Sequence, residues 1–327
     1  MKRKELLNQY QITESDLDNF DEFLNKFTDI PVSVPNSKLF INKVGTIENK
    51  AVVQVRNFIK PALYIPLVCD INLYVELEPG QRGIHMSRLE ESLRDISRKN
   101  YAELEDFAEE LSKNVSLKQD CKKVFIDIKG MALVDRPTIR SKKTSTDPFY
   151  LTANIALDKS LNDLNIYSGI QAYNITACPC TRAYSKYYKA QELIKYLPLN
   201  KVNLVLNNIL TFSHSQRGLV TLKVENSARK ISSGNLFEVI DNSTHLVYNL
   251  LKRSDEHELV RLAHESPQFT EDVVRDVCFE LLSLYSNALE SDSLVRIESQ
   301  LIESIHAHSV HAIIEGNVSD ILNQLKN

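Results

Sequence analysis

The run at residues 62–77, ALYIPLVCDINLYVEL, is dense in β-branched and aromatic residues and reads as a long strand. The two segments after it constrain the fold more. Residues 87–99 and 101–114 carry helical patterns, each with one apolar face: Leu89, Leu93 and Ile96 in the first, Leu104, Phe107 and Leu111 in the second. Strand-like runs come next at 123–129 and 150–155, and shorter ones at 39–44 and 51–55 come before. The order is therefore strand, strand, helix, helix, strand, strand. It recurs in the second half: a strand at 166–177, a helical insertion at 183–210, a strand at 218–224, helices at 236–251 and 269–288, and a return strand where Leu294-Val-Arg-Ile297 alternates. The residues themselves do not repeat, so the recurrence predicts an α+β chain from the order of its elements alone.

Residues 1–30 read as a helical extension, with Ser15 as cap before Leu17, Phe20, Phe23, Leu24 and Phe27; a Pro-containing link at 30–35 ends it. This gives three units: the extension at 1–30, a first module at 31–160 and a second at 161–327. The polar, breaker-rich stretch 135–147 reads as a mobile loop or inter-module link.

Composition removes whole classes of function. With 43% hydrophobic and 25% charged residues over 327 positions the chain has ample core, and a net charge of -4 offers no basic field for nucleic acid. No apolar run is long enough to span a membrane, and the charged N-terminus does not resemble a signal peptide, so a cytoplasmic protein is expected. Five scattered cysteines agree with a reducing compartment. Glycine is scarce, eight in all, and forms neither GxxxxGK[ST] nor GxGxxG. A bound nucleotide would have to be held by other elements.

Several polar constellations stand out. In Ala-Cys-Pro-Cys (177–180), Cys178 and Cys180 are too close for a relaxed disulfide, and no second pair follows at zinc-ribbon spacing. Small buried packing residues are the plain reading of both. Seven of the eight histidines lie in the second half. His306, His308 and His311 would share faces pairwise on a strand or a helix and so could present imidazoles to a metal. Carboxylates beside cations, such as Glu271 and Arg275, read first as solvated i,i+4 pairs. Where strand gives way to helix, Arg82-Gly-Ile-His-Met-Ser-Arg88 offers Ser87 as a cap, with Arg82, His85 and Arg88 around a helix N-terminus suited to phosphate.

Six of these stretches together resemble the type IB GTP cyclohydrolases, in that family's order and across residues 30–320. They are Arg-Gly-Ile-His-Met-Ser-Arg (82–88), Ala-Cys-Pro-Cys (177–180), Ser-His-Ser-Gln-Arg-Gly (213–218), Leu-Leu-Lys-Arg-Ser-Asp-Glu (250–256), Ala-His-Glu-Ser-Pro-Gln-Phe-Thr-Glu-Asp-Val-Val-Arg-Asp (263–276) and Glu-Ser-Ile-His-Ala-His (303–308). The resemblance implies two tandem tunnelling-fold modules, each an antiparallel sheet backed by two helices, closing into barrels in a homo-oligomer. It implies attack of activated water on C8 of GTP, loss of formate and formation of a dihydropterin. It also implies Cys178, His214, Glu256 and His306 as ligands of a divalent metal, with Cys178 and His214 central to catalysis. The mixed S/N/O donor set suits Fe(II), Zn or Mn. Glu271 matches the carboxylate that anchors the purine, and His85, Ser87, Arg88 and Arg217 are expected to hold phosphate.

Two positions depart from the family pattern. Ser-His-Ser replaces Thr-His-Asn around His214, and Asp241 stands where Glu is usual. The long insertion between Cys178 and His214, with Tyr184, Tyr187 and Tyr188, resembles the archaeal branch, which uses Fe(II) and releases 7,8-dihydroneopterin 2′,3′-cyclic phosphate. The bacterial branch makes dihydroneopterin triphosphate for folate synthesis. A non-catalytic purine- or pterin-binding protein on the same scaffold is the rival from another class.

Overall fold

The computed structural model describes Thr13 and residues 30–326, so the expected N-terminal helix and its cap Ser15 lie outside the described residues. Nine strands form one sheet in the order β3-β1-β2-β4-β5-β6-β7-β8-β9. In the first half, β1 (Ile41–Arg56) and β2 (Tyr64–Leu77) form a hairpin. Then come α1 (Met86–Ile96), the short β3 (Asn100–Tyr101) and α2 (Leu104–Gln119), and β4 (Lys123–Pro137) and β5 (Thr144–Asp158) form a second hairpin. In the second half, β6 (Asp163–Ala177) leads to α3 (Pro179–Leu193) and α4 (Leu199–Asn208), then β7 (Ser215–Glu225), α5 (Ser233–Ser243), α6 (Arg253–Glu265) and α7 (Thr270–Tyr285). β8 (Leu294–Ile302), β9 (Val310–Asn317) and α8 (Val318–Leu325) close the chain. Every pairing is antiparallel except β1 with β3. The fold is α+β with the tunnelling-fold order of elements.

Period-two alternation builds the core. In β4, Val124, Ile126, Ile128, Ala132 and Val134 are buried in turn, and α2 covers them with Leu104, Phe107, Leu111 and Val115. In the second half α7 packs on β8 and β9 through Val273, Val277 and Leu281. The helix patterns read from Leu89, Leu93 and Ile96 and from Leu104, Phe107 and Leu111 hold, because each set is buried on one side of its helix.

Other expectations need correction. The two short strands at 39–44 and 51–55 are one strand, β1, whose register shifts between Thr46 and Asn49 where Glu48 takes a left-handed φ of 60°. The insertion 183–210 is two helices, because Pro198 cannot continue the first and instead caps the second. The helix expected at 236–251 stops at Ser243, since residues 245–247 bond β6 through Ile175 N–H to His245 O (2.9 Å) and Val247 N–H to Tyr173 O (3.1 Å). Ser87 is not the cap of α1; His85 takes that position without a side-chain bond.

The largest correction is at 135–147, which is ordered hairpin. Asp135 pairs with Thr146, Arg136 with Ser145 and Pro137 with Thr144. Arg136 and Asp147 are 5% and 2% exposed and form an ion pair, Nε to Oδ2 at 2.8 Å. Arg136 also donates to Val247 O (2.7 Å) and lies 4.0 Å over the Tyr248 ring. Asp147 Oδ1 accepts from Ser145 Oγ at 2.5 Å and from Asn249 N–H at 2.8 Å. Breaker-rich composition suggested a loop, but these polar side chains find partners about a hundred residues downstream. Asp147→Asn should therefore cost about 3–5 kcal/mol in urea unfolding, because it strands a buried guanidinium. Glu192→Gln, which breaks an exposed pair with Lys195, should change stability by less than about 1 kcal/mol.

Candidate functional site

Strand geometry brings the first two expected donors together. Ala177 pairs with Ser215 at the ends of β6 and β7, so Cys178 and His214 are the next residues on adjacent strands. Cys178 N–H donates to His214 O at 3.1 Å. Cys178 is also the N-cap of α3: its Sγ accepts from Thr181 N–H at 3.4 Å, and Pro179 opens the helix. The N-terminus of α3 thus faces the half-buried sulfur. Cys180 is exposed, so the packing reading fails for it.

His306 comes from the loop between β8 and β9. Ser304 in that loop places Oγ 3.4 Å from His214 Nδ1. The His306 and His308 rings stack at 5.3 Å and 15° in this loop, neither strand nor helix. His311 belongs to β9 and faces Glu298 at 3.5 Å. Sequence reasoning did not single out Glu303: its Oε2 is buried and unpartnered. Its only signal was its place at the head of the Glu-Ser-Ile-His-Ala-His run.

Glu256 is set by its neighbour. Asp255, fully buried, accepts from Arg140 N–H and Ser141 N–H (2.8 Å each), Ser141 Oγ (2.6 Å) and Lys252 N–H (3.0 Å). It bolts the start of α6 to the β4–β5 turn. The far end of α6 is tied beside His214, where the buried His264 ring lies between Val260 O (2.8 Å) and Ser213 O (3.1 Å). Glu256 is exposed and lines a cavity of about 560 Å³ with Tyr173, Tyr248, Asn249 and Arg217. The Arg217 guanidinium sits 5.5 Å over the Tyr173 ring.

The remaining residues lie apart. Glu271 is on the first turn of α7, exposed. The expected pair with Arg275 does not form, because Arg275 bonds Asp272 at 3.0 Å, and Glu271 has no ion pair among the described residues. His85 and Arg88 line a separate cavity in the first half, where His85 exchanges backbone bonds with Gln119 and Arg88 donates to Lys118 O at 3.1 Å. Ser87 is exposed beside them. Asp241 lies 3.8 Å from Arg136; burial pushes its pKa up and Arg136 opposes that.

The donor types fit a divalent transition metal, and Cys178 and His214 are already adjacent. Among the described residues no three His, Cys, Asp or Glu side chains are gathered to hold an ion, so Glu256 and His306 are not brought together with Cys178 and His214.

A thiol and an imidazole at neighbouring strand ends, a carboxylate helix bolted beside them and a lined cavity define the class: an α+β protein with a polar site built on its sheet. The chain belongs to the type I GTP cyclohydrolase folE2 family, whose family model matches residues 27–312. Its relatives include the GTP cyclohydrolase MptA of Methanococcus vannielii, 26% identical over 91% of this chain and 99% of that one. The MptA of Methanothermobacter thermautotrophicus is 28% identical over 88% and 92%. Among solved structures, a uricase from Bacillus fastidious aligns with a TM-score of 0.48 at 9% identity, over 90% of this chain and 98% of that one.

Burial opposes ionisation of Asp255, but the hydrogen bonds from Ser141, Arg140 and Lys252 outweigh it and hold the carboxyl well below the usual range. A depressed folded pKa contributes stability above the unfolded value of about 3.9, lost as pH falls through the folded value. The gap in urea midpoint between wild type and Asp255→Asn should therefore be widest near pH 7 and shrink below about pH 4. A gap unchanged between pH 7 and 3 would count against the ionised anchor.

Proposed function

We propose that this chain is a metal-dependent GTP cyclohydrolase of pterin biosynthesis. It opens the imidazole ring of GTP at C8, releases formate and forms a dihydroneopterin phosphate, with 7,8-dihydroneopterin 2′,3′-cyclic phosphate favoured. The observation that carries this reading is the meeting of Cys178 and His214 at the ends of β6 and β7.

Cys178, His214, Glu256 and His306 would hold the ion, with Fe(II) favoured and Zn or Mn as alternatives. Once bound, such an ion supplies Lewis acidity that brings the pKa of a water molecule towards about 7. The chain's own residues do the rest. Glu271 has no ion pair among the described residues and so can accept N–H donors from the guanine edge, which adenine lacks. Arg217, beside Glu256 in one cavity, would hold phosphate. His85, Ser87 and Arg88 lie in the other half, so their part in phosphate binding fits a site completed by a second copy.

Assembly as a homo-oligomer fits the sheet edges. β1 meets β3 only at Gln54 and Val55, and the outer edge of β9 carries no strand among the described residues. Such open edges invite pairing with another copy, which is how barrels of this kind close. The proposed division into modules at 31–160 and 161–327 falls in the turn between β5 and β6. The helical insertion separating Cys178 from His214 favours the cyclic-phosphate product over the triphosphate. Among the described residues no helix is long and apolar enough to cross a membrane.

Anaerobically purified protein given GTP with Fe(II), Mn(II) or Zn(II) should release formate and a fluorescent pterin after oxidation, and phosphate analysis will distinguish the two products. Cys178→Ala should abolish turnover and lower bound metal, whereas Cys180→Ala should retain most of both. No formate with any metal would leave the non-catalytic reading, and equal loss in both variants would assign the wrong sulfur.

A further inference from the structure

The helix-facing side of the sheet changes character towards the candidate site. Along β6 the inward positions run Ile170, Ala172, Asn174, Thr176; along β7 they run Val224, Leu222, Val220, Gly218, Gln216. In β8 they run Val295, Ile297, Ser299 and Leu301, so one apolar side chain interrupts the change beside Gly218. An apolar core thus gives way to a polar strip just where the strands approach Cys178 and His214. Asn174 and Ser299 are 0% exposed, Thr176 1% and Gln216 6%.

These side chains are not satisfied by one another. Both heads of the Asn174 amide, Thr176 Oγ1, Gln216 Oε1 and Ser299 Oγ are buried without a hydrogen-bond partner. Gly218 is required here: a Cβ would come within 2.5 Å of Asn174 Oδ1, so the glycine lets the amide lie across β7. One orphaned buried polar atom costs a sizeable share of a domain's net stability, and this many together would rival all of it. Buried polar atoms in such a cluster are as a rule met by ordered water.

At one end the strip lies beside a cavity. Gln268 Oε1 and His245 Nε2 are likewise buried and unpartnered, and both residues line a cavity of about 390 Å³ with Ser243 and Ser266. Only a thin wall separates them from the strip: Ile175 N–H bonds His245 O at 2.9 Å, and Asn174 bridges Leu246. At the other end Thr176 pairs with Gln216, and the next positions of the same parity are Cys178 and His214.

We propose that Asn174, Thr176, Gln216 and Ser299 form a water-binding conduit that leads from the cavity at His245 and Gln268 to Cys178 and His214, and supplies water to the site from the helix side. The supply role rests on the hydrolytic function proposed above; the hydration itself does not.

The test has two arms. A high-resolution crystal structure of the wild-type protein should show ordered waters within about 3.2 Å of Asn174, Thr176, Gln216 and Ser299. Thr176→Val, nearly isosteric, and Gln216→Met should lower kcat about tenfold while leaving KM for GTP and bound metal unchanged. A dry strip with the side chains paired directly would overturn the proposal. Waters present with kcat unchanged in both variants would overturn the supply role. If the wild-type protein turns over no GTP, the functional reading falls, and the electron density still decides whether the strip binds water.

Discussion

The carboxylate of Asp255 ties the second half of the structure to the first. It accepts four hydrogen bonds, three from the Arg140–Ser141 turn of the β4–β5 hairpin and one from Lys252 at the head of its own helix. A buried carboxylate survives only when its oxygens are met this fully. The same hairpin is pinned below by Arg136 and Asp147, which bind the backbone of Val247 and Asn249. One polar seam therefore joins the first half of the chain to the 245–256 segment, and Glu256, next to Asp255, inherits its position from that seam. The other end of α6 is held by His264 against Ser213, beside His214. Two expected donors that are 42 positions apart in sequence, at 214 and 256, are thereby fixed relative to one frame.

What could be read from the sequence was what local periodicity encodes. Leu89, Leu93 and Ile96 announce α1 because a helix repeats its buried face every three or four residues, and Leu294-Val-Arg-Ile announces β8 because a strand alternates. The hairpin at 135–147 was illegible for the opposite reason. Its polar residues look like loop when only neighbours are considered, and their partners lie 102 to 115 residues away. Helix α6 gave no apolar stripe, since the residues it buries include Asp255, Glu258 and His264 alongside Leu259. For the candidate site, the motifs supplied the residue types at Cys178, His214, Glu256 and His306. Only the register of β6 with β7 shows that two of them touch, and only burial draws notice to Glu303.

The candidate site residues are spread over several elements. Cys178 and His214 are set by the sheet, Glu256 by a bolted helix, and His306 by an exposed loop stacked on His308. Glu271 and Arg217 lie on other elements of the same half, and His85 and Arg88 in the other half. Beneath β6 and β7, Asn174, Thr176 and Gln216 place hydrogen-bonding groups under the strand ends that carry the expected donors Cys178 and His214.

Asp255 fixes α6, and with it Glu256, to the hairpin. Native-state hydrogen exchange followed by NMR on the amides of Arg140, Ser141 and Lys252 tests it most directly. These three amides should be strongly protected in the wild-type protein and exchange far faster in Asp255→Asn, while amides in the centre of β6 keep their protection. Unprotected Arg140, Ser141 and Lys252 amides in the wild-type protein would contradict it.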